Sequence, residues 1–279
     1  MQDPFKWTAP TGVLGRILEE TYRRIARLVE RKHAIEAAAR EAAPVPAFAA
    51  ALVRDSGCVA VIAEIKRASP SAGIIDKAIS AASRAQQYET AGAAAISVLT
   101  EPIHFFGADG DLESARSKVT IPLLRKDFHV HPLQLLEARA LGASAALLIV
   151  RAIRPGLLEE LMRAAEDTGL EALVEVRTER ELDQALSARA NTIGVNARDL
   201  ETLEVDASLP GRLLPMVPRD RVAVSESGIR GRADVVRLGH AGADAVLVGS
   251  MLSMSSDPSA SVRMLTGVAR EPRSPLRLE

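Results

Sequence analysis

The chain has 279 residues, 47% of them apolar but only 3% aromatic, and a formal net charge of −1 with Lys and Arg scattered along its length; it offers no basic face for nucleic acid, and its aliphatic bias suits helices packed on a sheet better than a β-sandwich. The one cysteine, Cys58, excludes an internal disulfide and reads as a small buried residue beside a strand. No run approaches a membrane span and the first residues lack a basic-then-apolar signal, so the expectation is a soluble cytoplasmic protein with neither a membrane nor a nucleic-acid partner.

In chain order, residues 1–50 stand apart as a helical extension. Residues 14–43 have helical periodicity, with Leu14, Ile17, Leu18, Tyr22, Ile25 and Leu28 on one stripe and Glu and Arg opposite. Pro44 and Pro46 end this helix, and a short one over 47–55 follows. Then eight apolar runs recur at 59–66, 93–100, 121–127, 145–150, 171–176, 192–196, 221–227 and 245–250. Helical stretches lie between them at 80–91, 112–117, 132–141, 155–168, 179–188, within 200–217 and at 230–241, with one more after Asp257. Gly92, Gly142, Gly169 and Gly242 each sit just before a strand, where glycine supplies the left-handed helix stop. Continuous apolar strands alternating with helices imply parallel pairing buried on both faces. Eight such units over residues 51–270 predict an α/β fold, a (β/α)8 TIM barrel, with 271–279 as a C-terminal tail. An open doubly wound sheet is the alternative, but Ser69-Pro70-Ser71-Ala72-Gly73 is not the glycine fingerprint such a fold carries after its first strand.

Barrel enzymes work at the C-terminal ends of their strands, so the last residues of each run carry the functional reading. The first run ends with Glu64 and Lys66, two apart and therefore on one face. Taken alone they could be a structural ion pair. The third run gives Lys126 within Arg125-Lys126-Asp127-Phe128, the fifth Glu175, the sixth Asn196 and then Arg198, the seventh Glu226. That many charges at one end of a barrel are hard to explain as scaffold, because barrel interiors are filled with branched apolar side chains. Two sub-sites separate by chemistry. Ser227-Gly228 and Gly249-Ser250 end the last two strands, where small residues let backbone N–H groups reach a phosphate; Ser69, Lys66 and Arg198 can add donors. Lys126 and Lys66 can donate protons or stabilise negative charge, while Glu64, Glu175 and Glu226 can accept protons. No ligand set for a metal is visible: His129 and His131 share a loop without a carboxylate or cysteine to complete one. No nucleophile elbow, Walker loop or cofactor lysine context stands out either, so no metal and no cofactor are expected.

These residues resemble the indole-3-glycerol phosphate synthase family of tryptophan biosynthesis. The resemblance rests on Ile62-Ala63-Glu64-Ile65-Lys66-Arg67-Ala68-Ser69-Pro70-Ser71, on Ala94-Ala95-Ile96-Ser97-Val98-Leu99-Thr100-Glu101 and on Leu124-Arg125-Lys126-Asp127-Phe128. Further matches are Leu173-Val174-Glu175-Val176, Ile193-Gly194-Val195-Asn196-Ala197-Arg198-Asp199-Leu200, Ser225-Glu226-Ser227-Gly228-Ile229 and Leu247-Val248-Gly249-Ser250. They come in the family's order and cover nearly all of residues 14–252. The resemblance implies ring closure, decarboxylation and dehydration of 1-(2-carboxyphenylamino)-1-deoxyribulose 5-phosphate, a phosphorylated small molecule, without cofactor or metal. It implies that Lys126 is the acid on the ketone, that Lys66 contacts the carboxylate, and that Glu175 and Glu64 are the base and acid candidates for dehydration. Asn196 and Glu226 match residues that hold hydroxyls and tune the lysines. Ser69, Arg198, Ser227, Gly228, Gly249 and Ser250 match phosphate-binding positions, and Pro70, Phe128, Leu147 and Leu200 match the anthranilate pocket. The extension's helix resembles one that crosses the top of the barrel, and Trp7 either reaches the aromatic pocket or lies exposed.

The sequence departs from the family pattern at Ala72, where a lysine is usual, over 76–80, and at Gly107-Ala108-Asp109-Gly110-Asp111. These fall in βα loops and bear on rate and loop closure rather than on reaction type. Two other readings compete: a sugar-phosphate isomerase on the same barrel, which would normally use an Asp or Cys pair, and a barrel that kept its phosphate pocket but lost catalysis. A monofunctional monomer is the expectation.

Overall fold

The structure, a computed structural model, describes residues 7–53 and 57–273. Eight parallel strands close into a barrel: β1 (Ala60–Ile65), β2 (Ala95–Leu99), β3 (Leu123–Lys126), β4 (Ala145–Ile149), β5 (Glu171–Val176), β6 (Thr192–Asn196), β7 (Val222–Glu226) and β8 (Ala245–Val248). Each pairs with its neighbours in sequence, and β1 closes the ring on β8 through Ala60↔Ala245 to Ala63↔Val248. The (β/α)8 expectation therefore holds, and the open-sheet alternative falls. Strand residues alternate between two cores, as a period of two requires. Val61, Ala63, Ile96, Leu148, Val174 and Val246 face the surrounding helices. Ile62, Ala95, Leu124, Leu147, Leu173 and Val224 face the barrel axis.

The extension wraps the barrel in three pieces rather than the two expected. Helix α1 (Gly12–Glu30) breaks at Arg31, and α2 (Lys32–Glu41) and α3 (Phe48–Leu52) follow. The buried stripe of α1 is Leu14, Ile17, Leu18, Thr21 and Ile25. Thr21 takes the place expected of Tyr22, which is 51% exposed; Thr21 hides its hydroxyl by donating to the Ile17 carbonyl at 2.9 Å. At the bottom of the barrel the Glu171 carboxylate, at the start of β5, accepts from the backbone N–H of Phe48 at 2.6 Å and of Ala49 at 2.9 Å. A carboxylate against the free amides of a helix start is a favourable pairing.

Outer helices relevant to the site are α4 (Ala81–Thr90), α5 (Asp109–Arg116), α6 (Pro132–Ala140), α7 (Leu157–Asp167) and α8 (Glu179–Ser187), then α9 (Leu209–Leu213), α10 (Arg232–His240), α11 (Ser250–Ser253) and α12 (Pro258–Leu265). The four glycines expected to stop helices all adopt positive φ, between 67° and 97°. Helix α5 starts three residues earlier than its sequence pattern suggests. Asp109 and Asp111, read as loop, form its first turn, where acidic side chains favour a helix N-terminus. Cys58 is half-buried, in an antiparallel bridge with Ala269. The expected tail begins inside the fold: Arg273 is buried and donates to Asp244 at 2.6 Å and to the Gly242 carbonyl at 2.7 Å; residues 274–279 lie outside the described residues. Among the described residues no helix is long and apolar enough to cross a membrane.

Candidate active site

A cavity of about 290 Å³ opens at the C-terminal ends of the strands. Every site residue singled out in the sequence lines it: Lys126, Glu175, Lys66, Glu64, Asn196 and Glu226; Ser69, Arg198, Ser227, Gly228, Gly249 and Ser250; and Pro70, Phe128, Leu147 and Leu200. They are spread over the chain from residue 64 to residue 250, yet the barrel brings them to one mouth because they lie at or near the C-terminal ends of its strands.

Two ion pairs form its polar floor. Lys126, on β3, donates to Glu226 Oε2 on the opposite wall at 2.9 Å and lies 3.7 Å from Glu175 Oε2. Lys66, just past β1, lies 3.0 Å from Glu64 Oε1 and donates to Ser250 Oγ at 3.1 Å. It therefore bridges the acid–base floor and the rim at Ser250, which is why it matched both sub-sites. Glu64, Glu175, Asn196 and Glu226 are all buried. Burial alone would lower the pKa of Lys126, but the charges of Glu226, Glu175 and Glu64 outweigh it and hold the ammonium protonated well above the ordinary lysine range. Glu175 is pushed up to about 7 by burial and by the neighbouring Glu226 charge, against the pull of Lys126 and a hydrogen bond with Asn196. A lysine fixed as a donor thus sits beside a carboxyl that changes state near neutral pH. Glycine at 249 has a steric reason besides any anion contact: a Cβ there would stand 2.0 Å from Glu64 Oε1 and 3.0 Å from Lys66 Nζ.

The rim carries the anion-type features. Ser227 and Gly228 both adopt left-handed φ, 66° and 75°. For serine this is a strained conformation, of a kind that clusters at functional sites. Arg198 donates from Nη1 to the Leu203 carbonyl at 2.8 Å and has no ion-pair partner among the described residues; burial lowers its pKa with no compensating charge. The Ser69 hydroxyl accepts from the Ala72 N–H at 3.2 Å, ordering the loop after β1. Arg67, in the same loop, pairs with Asp111 through both guanidinium nitrogens and donates to the Ile79 carbonyl at 3.0 Å. The atypical segment 107–111 is thereby joined to the first-strand loop.

An apolar wall faces this floor. Phe128, Leu147, Leu200 and Pro70 contribute as expected, joined by Val13 and Ile17 of α1 and by Phe105. Phe105 and Phe128 lie 6.3 Å apart at 38°. Sequence reading missed Phe105, Val13 and Arg230 as lining residues; an aromatic side chain in a βα loop of a chain with 3% aromatic content was the available signal. Helix α1 is tied across the mouth at its first turn and again at Arg24 further along. The N–H groups of Val13 and Leu14 donate to the carbonyls of Glu201 and Leu200 at 3.2 and 3.1 Å, and Arg24 pairs with Asp127 at 2.9 Å. Trp7 does not line the cavity and is half-buried.

His129 and His131, the histidines weighed as ligands, make other contacts. His129 is buried, with Nδ1 on the Leu147 carbonyl at 2.8 Å, and burial beside Arg125 pushes it down to about 4. His131 caps α6, accepting from the Leu133 N–H at 3.2 Å. His104 pairs with Glu20 at 2.9 Å and lies near Glu101. The Glu101 carboxylate already accepts from the N–H groups of Ile103, His104 and Phe105 at 2.6 to 3.0 Å.

Solved structures share the barrel but little sequence. Thiamine phosphate pyrophosphorylase from Pyrococcus furiosus superposes with a TM-score of 0.56 at 15% identity, covering 75% of this chain and 94% of that one. Curated sequences are far nearer. The indole-3-glycerol phosphate synthase of Mycolicibacterium vanbaalenii is 50% identical over 233 residues, 84% of this chain and 85% of that protein. The protein of the same name from Mycobacterium tuberculosis is 46% identical over 268 residues, covering 96% and 98%. The profile of the family described as indole-3-glycerol phosphate synthase matches residues 14–265. With that match spanning the α1 cover and every strand that lines the cavity, the chain belongs to the indole-3-glycerol phosphate synthase family.

Proposed function

We propose that the protein closes the indole ring of 1-(2-carboxyphenylamino)-1-deoxyribulose 5-phosphate, with loss of carbon dioxide and water, to give indole-3-glycerol phosphate for tryptophan synthesis. The observation that carries this reading is the pair of lysine–carboxylate contacts on one cavity floor, Lys126–Glu226 and Lys66–Glu64, set between an apolar wall and an anion-type rim. The substrate has three parts of matching character: a carboxylated aromatic ring, a polar ketose chain and a phosphate.

Its phosphate binds at Ser227, Gly228, Gly249, Ser250 and Arg198, with Ser69 ordering the adjoining loop. Its ring lies against Phe128, Leu147, Leu200 and Pro70, with the ring carboxylate toward Lys66. Lys126, held protonated, donates to the ketone oxygen as the aromatic carbon attacks the ketone carbon. Departure of carbon dioxide returns the bonding electrons to the ring and restores aromaticity. Loss of water then needs a base for a proton of the new five-membered ring and an acid for the departing hydroxyl. Glu175, poised near neutrality, is the base, and Glu64 with Lys66 forms the acid side. Asn196 and Glu226 hold the chain hydroxyls and the lysine in register. None of these steps calls for an oxidant, a reductant or an electrophilic cofactor, since each moves only protons and electron pairs already in the substrate's own bonds.

Purified protein mixed with the carboxyphenylamino-deoxyribulose phosphate tests the reading by the appearance of indole fluorescence. Turnover supports it; binding of the substrate without turnover sinks it and leaves a barrel that has lost its chemistry. We also take the enzyme to be a cytoplasmic monomer with no nucleic-acid partner, the helices of residues 1–50 covering a catalytic barrel over 51–270. Light scattering at the mass of one chain checks the first of these.

A further inference from the structure

Gly194 stands in the middle of β6, level with Glu175 on β5 and Val224 on β7. Glycine inside a strand weakens it and commonly marks a close approach. The backbone does not demand glycine here, since φ lies outside the left-handed region. A side chain does. A Cβ on Gly194 would stand 2.2 Å from Glu226 Oε1 and 3.3 Å from both Glu226 Cδ and Leu173 Cδ1. Glu226 leaves β7 level with Asn196, two residues above Gly194. Its side chain therefore bends back along the barrel axis, into space that any other residue at 194 would fill. From there Oε2 reaches Lys126 on the facing strand at 2.9 Å, while Oε1 is buried with no hydrogen-bond partner among the described residues. The other ion pair repeats the arrangement, with Gly249 of the neighbouring strand end vacant for Glu64.

We propose that Gly194 is a positioning residue for the reaction, leaving the notch in the barrel wall where the Glu226 carboxylate lies and so setting its reach to Lys126. This rests on the reading of Lys126 as the proton donor given above. With a methyl group at 194, Glu226 cannot retreat into the closed barrel beneath it. It swings up instead and leaves Lys126 with Glu175 at 3.7 Å as its nearest carboxylate. A glycine retained merely for packing against Leu173 would not depend on Glu226 at all.

The test places Gly194→Ala in three backgrounds: wild type, Glu226→Ala and Glu226→Asp. Melting temperature needs no turnover, so it reads the contact whatever the reaction proves to be. In the wild-type background the substitution is expected to lower it by about 5 °C, as overpacking in a barrel of this size does. With Glu226→Ala the notch is already empty, and the same substitution should cost less than about 2 °C, a departure from additivity that marks direct contact. In turnover, Gly194→Ala should lose about a hundredfold in kcat with KM within about threefold. Glu226→Asp shortens the carboxylate by one methylene, and the Gly194→Ala/Glu226→Asp double variant should recover about tenfold over Gly194→Ala alone. If Gly194→Ala fails to fold while its Glu226→Ala combination folds, the notch is upheld. Equal melting losses in the wild-type and Glu226→Ala backgrounds, failure of both to fold, or a Gly194→Ala kcat near wild type would each overturn the proposal. A wild type that does not turn over the substrate would instead remove the reading of the reaction, with the melting comparison still deciding the contact.

Discussion

Two groups of buried charge meet at the upper end of β3, and they differ in how completely they are satisfied. Lys126 points to the barrel axis, while Arg125, one residue before it, points outward and Asp127, one residue after it, turns to Arg24 of α1 at the edge of the cavity. In the outward group Arg125 and Asp127 are both saturated. Asp127 accepts from Arg24 at 2.9 Å, from the Thr100 hydroxyl at 3.0 Å and from the Phe128 N–H at 2.8 Å. Arg125 donates to Asp109 at 2.7 Å, Glu137 at 2.9 Å and the Gln134 carbonyl at 3.2 Å. Although burial works to raise the Asp127 pKa, the charges of Arg24 and Arg125 hold it well below the usual carboxylate range. In the inward group, Glu226 Oε1 lacks a partner and Glu175 sits near its own titration point. Buried charges with a full set of partners belong to the scaffold. Those left short of partners at a cavity wall are ready to meet the groups of a substrate.

The comparison is broken first, and most sharply, at Lys126. Lys126→Ala should cost between about 10² and 10⁴ in kcat, as expected for removing a general acid, while the protein remains folded; steady-state indole fluorescence reads it. A loss under tenfold would mean that the inward group is scaffold too.

Glu175→Gln comes next, with roughly a hundredfold loss in kcat and a change in how stability follows pH. Glu175 rises from an ordinary 4.5 to about 7 on folding. Over that window the folded protein keeps a proton that the unfolded chain releases, so stability falls as pH rises from 4.5 to about 7 and this contribution is flat above it. Glutamine has no proton to release, so denaturant midpoints across the window should lose that downward slope. An unchanged slope would show that Glu175 titrates at its ordinary value.

The outward group should respond in the opposite currency. Asp127→Ala strands Arg24, whose ion-pair partner it is, and should cost on the order of 3 kcal/mol of stability, measured by denaturant unfolding. The folded fraction should keep kcat within about tenfold, because Asp127 is bonded to Arg24, Thr100 and the Phe128 N–H and not to Lys126 or the glutamates of the floor. Loss of kcat without loss of stability would erase the distinction between the two groups. The smallest effect is expected at the rim. Arg198→Ala removes one charge-assisted contact and should raise KM by about tenfold with kcat nearly unchanged, and inorganic phosphate should then inhibit the variant more weakly than wild type.

Much of this was legible in the chain. The barrel was readable because each strand is a short apolar run bounded by a helix and, at four places, by a helix-stopping glycine. The cavity residues were readable because charges such as Glu64, Glu175 and Glu226 end runs that are otherwise apolar. Less legible were contacts made by neighbours in space alone. Nothing local distinguishes Phe105, which pairs with Phe128, from its exposed neighbour Phe106. The break in the extension at Arg31 and the burial of Thr21 in place of Tyr22 depend on how α1 crosses the barrel mouth. Asp111 looked like part of an irregular loop and is instead a partner for Arg67.

By itself, then, the sequence determined which elements form, their order and which residues end each strand, because hydrophobic period, helix stops and strand-end polarity are local properties of the chain. Only the tertiary structure decided which charges pair, which carboxyl is driven toward neutrality and why positions 194 and 249 must be bare. Those depend on distances across the barrel between residues such as Lys126 and Glu226, 100 positions apart, and on burial that exists only once the ring of strands has closed.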